Sequence, residues 1–175
     1  LTPARQGMAT ANNARFLRRP WEIKYDCSLE LYRIGRSILR HESLPWVPYV
    51  KGAAGIAWIE PLQDVIDWRA EGLGNKELEG STAGKNAEFY FRPAVAFTKI
   101  GAVFSARSYR YASIFDVAGS SVFLDNISHA VALLNSQLAR SILESLNPTV
   151  NFQVGDVNRL PLFSFDGSDE IISTV

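Results

Sequence analysis

The chain has 175 residues, 47% hydrophobic and 21% charged, a length and balance that suit a soluble globular protein with a real core. Eighteen basic residues offset eighteen acidic ones, which argues against indiscriminate polyanion binding. No apolar stretch approaches the ~18 residues of a membrane-spanning helix, so no membrane partner is expected, and a single cysteine, Cys27, excludes an internal disulfide framework and fits a reducing cytoplasm.

The neutral total conceals a pattern. Residues 1–60 balance to +4, 61–84 to −3, 85–116 to +3 and 117–175 to −4, so one basic face is compatible with a neutral whole. The opening LTPARQGMATANNARF has neither an initiator methionine nor a secretory start, and reads as part of a longer protein. A single domain over 1–175 is expected.

In chain order, ARFLRRPWEIKY reads as extended and interrupted at Pro20. Leu31, Ile34 and Ile38 suggest a short helix carrying a basic stripe of Arg33, Arg36 and Arg40. LPWVPYVKGAAGIAWIE, with two prolines and two glycines, predicts edge strands and loop. PLQDVIDWRAEGLG predicts a short helix with Pro61 at its first position and a glycine stop. After the polar loop GNKELEGSTAGKNAE come four runs of aromatic and β-branched residues, EFYFRPAVAFTKI, AVFSARSYR, SIFDVAG and SVFL. Alternation in the second puts Val103, Ser105, Arg107 and Tyr109 on one face. Val131, Leu134, Leu138, Ile142 and Leu146 then predict one helix over 128–146, ended by Asn147-Pro148. NFQVGDVNRLPL supplies one or two closing strands. The expected fold class is α+β, a mostly antiparallel twisted sheet with a few helices.

The sequence carries little that looks catalytic. His41 and His129 are isolated, and one cysteine gives no metal-ligand spacing. A Gly-x-Gly-x-x-Gly turn, a phosphate-cradling Gly-x4-Gly-Lys-Ser/Thr and a Gly-x-Ser-x-Gly elbow are all missing. Asp64/Asp67 and Glu77/Glu79 read as solvated acids in the acidic middle rather than a catalytic pair.

Three patches taken in order nonetheless carry a resemblance: RQGMATANNARFLRRPWEI, FYFRPAVAFTKIGAVFSARSYRYASIFDVAGSSVFL and ALLNSQLARSILESLNPTVNFQVGDVNRLPL. Together the chain resembles the C-terminal target-recognition region of large adenine-specific DNA methyltransferases, those of the PglX-like BREX phage-defence and type IIG restriction-modification kind. The resemblance covers nearly the whole chain and is weakest over 26–87. The family pattern opens Gly-hydrophobic-x-Thr-Gly-x-Asn-x-x-Phe, and Ala11 stands where its second glycine is usual.

The resemblance implies a DNA target-recognition domain that positions a catalytic half, elsewhere on the same polypeptide, on a specific duplex sequence. Double-stranded DNA and that catalytic methyltransferase domain are the implied partners. The family's S-adenosylmethionine loop and Asn/Asp-Pro-Pro-Tyr/Phe motif, which grips a flipped adenine, do not occur in this sequence. S-adenosylmethionine is therefore expected for the parent, no cofactor for this segment, and whether the parent also cleaves DNA depends on motifs elsewhere. Gln153, Gly155 and Asp156 would form a turn that fixes the sheet, with Asp156 capping neighbouring amides.

DNA reading needs cations for phosphates and Asn, Gln, Arg or Lys for base edges. Asn12, Asn13, Arg15, Arg18 and Arg19 offer both within ten residues, or else form an Asn-rich turn beside a solvated strand. Lys99, Arg107 and Arg110, interleaved with Ser105, Tyr109 and Tyr111, form a second candidate cluster, or else a structural Arg stacked on Tyr. Lys51 on its glycine-rich loop is a further phosphate candidate. The Arg33/Arg36/Arg40 stripe reads as a solvated face, and Trp21, Trp46, Trp58 and Trp68 as core or interface anchors. Two other readings stay open: a half-module of a type I restriction specificity subunit, and a protein-interaction module of a phage-defence complex.

Overall fold

The computed structural model describes residues 3–24, 45–69 and 78–161. The stripe of Arg33, Arg36 and Arg40, with its expected helix, lies outside the described residues.

The elements are β1 (Ala4–Arg5), α1 (Asn13–Phe16), β2 (Leu17–Arg18), β3 (Trp46–Val50), β4 (Trp58–Ile59), β5 (Asp64–Asp67), β6 (Ala94–Phe97), β7 (Ala106–Tyr109), β8 (Ile114–Phe115), β9 (Ser121–Val122), α2 (Ile127–Leu134), α3 (Gln137–Leu146) and α4 (Val154–Val157), with short 3-10 turns at Pro20–Glu22 and Ala87–Phe89. The strands form two sheets, ordered β1-β9-β6-β7-β4 and β2-β5-β3-β8. Most pairings are antiparallel, but β3 with β8 and β4 with β7 are parallel, so both sheets are mixed. The class is α+β, as expected, with two sheets where one was anticipated. None of the described helices is long and apolar enough to cross a membrane.

Strand β6 explains how the layers hold together. Its sequence Ala-Val-Ala-Phe is apolar throughout, the mark of a strand buried on both faces, and all four residues are buried. Val95 and Phe97 join a core with Ala130, Leu134, Leu143 and Phe152 from the helical side. Ala94 and Ala96 join the other core, with Ile66, Trp68, Tyr90 and Phe115 beneath the second sheet. The five-stranded sheet is thus the middle layer of three, with small alanines facing the aromatic layer and larger side chains facing the helices.

Five expected elements differ. ARFLRRPWEIKY, expected extended, starts in helix α1, because the Asn12 side chain caps Asn13–Phe16, and only Leu17 and Arg18 pair as a strand before the 3-10 turn at Pro20. The 128–146 helix is two helices, because Asn135 ends α2 and the Ser136 hydroxyl accepts the Ala139 N–H to start α3. The break rotates the second helix, so Ala139 and Leu143 are buried and Leu138 is exposed. The expected helix after Pro61 is β5, whose Val65 and Ile66 are buried between β2 and β3. Strand β3 lies inside its sheet rather than at an edge. Its parallel partner β8 pairs only Tyr49 and Val50, so Pro48 interrupts no rung on that side. The tail forms one bridge, Ile100 with Asn151, and then α4 instead of strands. There Asp156 does cap: its carboxylate accepts the Gln153 N–H at 3.4 Å and an Asn147 side-chain N–H at 2.9 Å.

Candidate nucleic-acid interface

The opening segment is a tight turn held by short-range bonds. Gly7 is pressed so close to β8 that a Cβ there would lie 1.9 Å from the Phe115 carbonyl oxygen. The Thr10 hydroxyl donates to Asn13 Oδ1. Ala11 has φ +58°, the left-handed conformation that glycine adopts freely, at the position where the family pattern has glycine. Asn12 Oδ1 accepts the Arg15 N–H at 3.0 Å and starts α1, while Phe16 is buried. The cap at Asn12 and the Thr10 hydroxyl at Asn13 each use one lone pair of the asparagine oxygen and leave its NH2 group, and both Asn12 and Asn13 are exposed. They keep the donor and the lone pair that a paired contact with an adenine edge requires.

The three arginines differ in commitment. Arg15 is exposed and lies over the Phe16 ring at 5.0 Å. Arg18 is half-buried and donates to the Ala14 and Leu17 carbonyls at 2.9 and 2.6 Å. Arg19 donates to the Gln63 carbonyl at 3.2 Å and pairs with Asp64 at 3.4 Å. Arg15 is therefore the cation most available to a polyanion in this segment.

The second cluster does not survive as a surface. Of the four residues that alternation put on one face, Ser105, Arg107 and Tyr109 are buried on the inner side, whereas Val103 precedes the strand and is exposed. Arg107 is 0% exposed. Its Nε is ion-paired to the Glu60 carboxylate, one terminal nitrogen donates to the Ala53 carbonyl at 3.1 Å and Thr98 Oγ1 at 2.7 Å, and the other to the Lys51 carbonyl at 3.1 Å. A guanidinium buried this way, with four of its five N–H groups bonded inside the protein, is out of reach of DNA. The Tyr109 hydroxyl bonds Ser121 Oγ at 3.1 Å, and burial raises its phenol well above the ordinary value. Burial likewise raises the Glu60 carboxyl, and the charge and hydrogen bond of Arg107 pull it part of the way back.

The cluster is also split in space. Lys99 lies in the 98–105 connection joining β6 to β7, whereas Arg110 follows the far end of β7. In the register of β6 with β7, Arg110 falls opposite Pro93, six residues from Lys99, or roughly 20 Å at about 3.3 Å per residue. Arg110 is exposed, donates to Ser128 Oγ at 3.0 Å, and sits in an open groove of about 570 Å³ shared with Pro93, Asp125 and Asn126.

What the structure does bring together is the other end. Lys51 follows β3 and Lys99 follows β6, and Arg107 ties both strand ends through Lys51, Ala53 and Thr98. Thr98 Oγ1 also donates to the Ala53 carbonyl at 3.1 Å. Pairing of β5 with β3 and β2 brings Asp64 and its partner Arg19 to this same end. Both lysines are half-buried and neither makes an ion pair among the described residues.

Sequence reasoning missed two features here. Trp58 and Ile59, on edge strand β4, are both exposed, and Trp58 has φ +77°. Trp68 is buried as expected of an anchor, while Trp21 is exposed like Trp58. The other is Glu60, the carboxylate that claims Arg107 from 47 positions away. A Glu just after an exposed Trp-Ile is the faint signal of it.

No protein-family model matches the chain. It is 33% identical over 169 residues to the adenine-specific methyltransferase PglX of Lacticaseibacillus casei (strain Zhang), a match covering 91% of this chain and 14% of that protein. It is 29% identical over 124 residues to the adenine-specific methyltransferase BrxX of Escherichia coli O9:H4 (strain HS), covering 67% of this chain and 10% of that protein. The chain spans about a seventh or less of the length of these curated relatives. It is a homologue of the PglX and BrxX adenine-specific methyltransferases, corresponding to one small region of them.

Proposed function

We propose that residues 1–175 are a DNA target-recognition domain that sets the sequence at which a larger adenine-N6 methyltransferase acts in phage defence. The reading is carried by one observation: a chain homologous to adenine-specific methyltransferases presents Asn12, Asn13 and Arg15 on an exposed, internally braced turn. The two amides match adenine edges, and Arg15 matches guanine or phosphate. Lys51, Lys99 and the partly committed Arg18 and Arg19 would add phosphate contacts. Arg107, Ser105 and Tyr109 act as frame. In this reading the partner is duplex DNA, the methyl donor S-adenosylmethionine is bound elsewhere on the parent, and the setting is the cytoplasm.

The test is the methylated sequence itself, mapped genome-wide by single-molecule sequencing for the full-length parent carrying Asn12→Ala, Asn13→Ala or Arg15→Ala. A base-reading residue loses about 1–3 kcal/mol of discrimination at one position, which relaxes there. Uniform weakening at every site would make the residue a phosphate contact, and an unchanged map for all three would overturn the proposal. A specificity-subunit module predicts the same map changes but methylation only when a separate catalytic chain is added. A protein-interaction module predicts no competition by duplex of the mapped sequence.

A further inference from the structure

We infer that Trp58 and Ile59 form a rigid apolar tip that presses into the base stack of duplex DNA, with Lys51 and Lys99 on the flanking phosphates. The inference rests on the DNA-recognition reading and adds a mode of contact to it.

Neighbouring residues of a strand point to opposite faces, so an edge pair should bury one side chain and expose the other. Here both are outward, Trp58 at 55% and Ile59 at 73% exposure. The positive φ at Trp58 breaks the alternation. Such a conformation in a bulky L-residue persists only where its surroundings dictate it, and they do. The Ser108 hydroxyl donates to the Trp58 carbonyl at 2.9 Å, the Ile59 N–H to the Ala57 carbonyl at 3.0 Å, and the Glu60 N–H to the Ser108 carbonyl at 3.0 Å. Arg107 then brackets the whole turn, holding Lys51 and Ala53 before it and the Glu60 carboxylate after it. The buried ion pair thus has a purpose at the surface: it fixes a projecting Trp-Ile pair that contributes nothing to either core.

The charge around the tip favours a polyanion. Lys51 and Lys99 are carried by the two connections tied to the same arginine, and neither is neutralised by a described carboxylate. Apolar side chains flanked by cations are the means by which proteins unstack a base step while holding the backbone. An enzyme acting on adenine within a duplex must take that base out of the stack, and a tip that occupies an opened step favours the extruded state.

The test uses the full-length parent and duplexes bearing its mapped site, with 2-aminopurine replacing single bases around the target adenine. Binding of the wild type raises 2-aminopurine fluorescence several-fold at one step. Trp58→Ala with Ile59→Ser is expected to lose that rise and weaken binding about tenfold, while Trp58→Phe keeps most of both. Trp58→Gly supplies the folding control: it relieves the positive φ, so its melting temperature rises while the fluorescence rise is lost. An unchanged rise in Trp58→Ala/Ile59→Ser overturns the inference, and so does loss of a protein contact in the parent with the rise intact. Failure here leaves the methylated sequence changed by Asn12 and Arg15 variants, so the two readings fail separately.

Discussion

Replacing Arg107 with alanine is the sharpest probe of the internal frame. The substitution strips the guanidinium from a Glu60 side chain that is only 5% exposed, and removes donors to the Lys51 and Ala53 carbonyls and Thr98 Oγ1. Breaking a buried pair from one side costs about 3–5 kcal/mol, because the remaining charge stays buried. Against a typical total of about 5–15 kcal/mol this is a large share, and at about 2–4 °C per kcal/mol the melting temperature falls by roughly 6–20 °C. Glu60→Leu alone behaves similarly, since arginine cannot shed its proton. Arg107→Ala combined with Glu60→Leu buries no lone charge, and the cycle shows a favourable coupling of about 2 kcal/mol or more. The assay is thermal and urea unfolding of the four proteins. Were Arg107→Ala to melt like the wild type while changing the methylated sequence, Arg107 would be a base-reading residue and the internal assignment would be wrong.

Other outcomes follow from the same structure. Ala11→Gly removes a left-handed alanine and stabilises by about 0.5–1 kcal/mol after glycine's entropic cost, read as a raised urea midpoint. Gly7→Ala drives a methyl into the Phe115 carbonyl and costs about 3 kcal/mol or more, checked by the same titration. Burial alone would raise the Asp67 carboxyl, but the Arg69 hydrogen bonds and charge, with Arg18 behind them, outweigh it and hold the group below its ordinary value. The stability linked to Asp67 is therefore present above the ordinary carboxylate range and lost as pH falls through the depressed value. Asp67→Asn should flatten that acid limb of the stability–pH curve.

Strands β6 to β9 were legible because aromatic and β-branched runs alternate with turn residues, and that signal is local. Strand β5 was not: Asp-Val-Ile-Asp after a proline satisfies a helix start as well as a strand, and only its burial between β2 and β3 decides. The periodicity of Val131 to Leu146 runs through the helix break and masks its local signal, Asn135-Ser136, two residues that cap more readily than they continue a helix. For the site, alternation showed that Ser105, Arg107 and Tyr109 share a face but not which side the protein occupies. That depended on Glu60 and on a second sheet lying over the first, neither of which is encoded near residue 107. The Asn12 turn was readable because its bonds span three residues.

The middle layer has an evolutionary consequence. Successive residues of β6 belong alternately to two cores, so no crossover point inside it separates one core from the other. A recombination event joining the first half of one homologue to the second half of another would mismatch both interiors at once. On the target-recognition reading proposed above, new specificities are then expected to arise by substitution on the surface turns, or by exchange of the whole three-layered unit, and chimaeras cut within residues 94–109 should fail to accumulate.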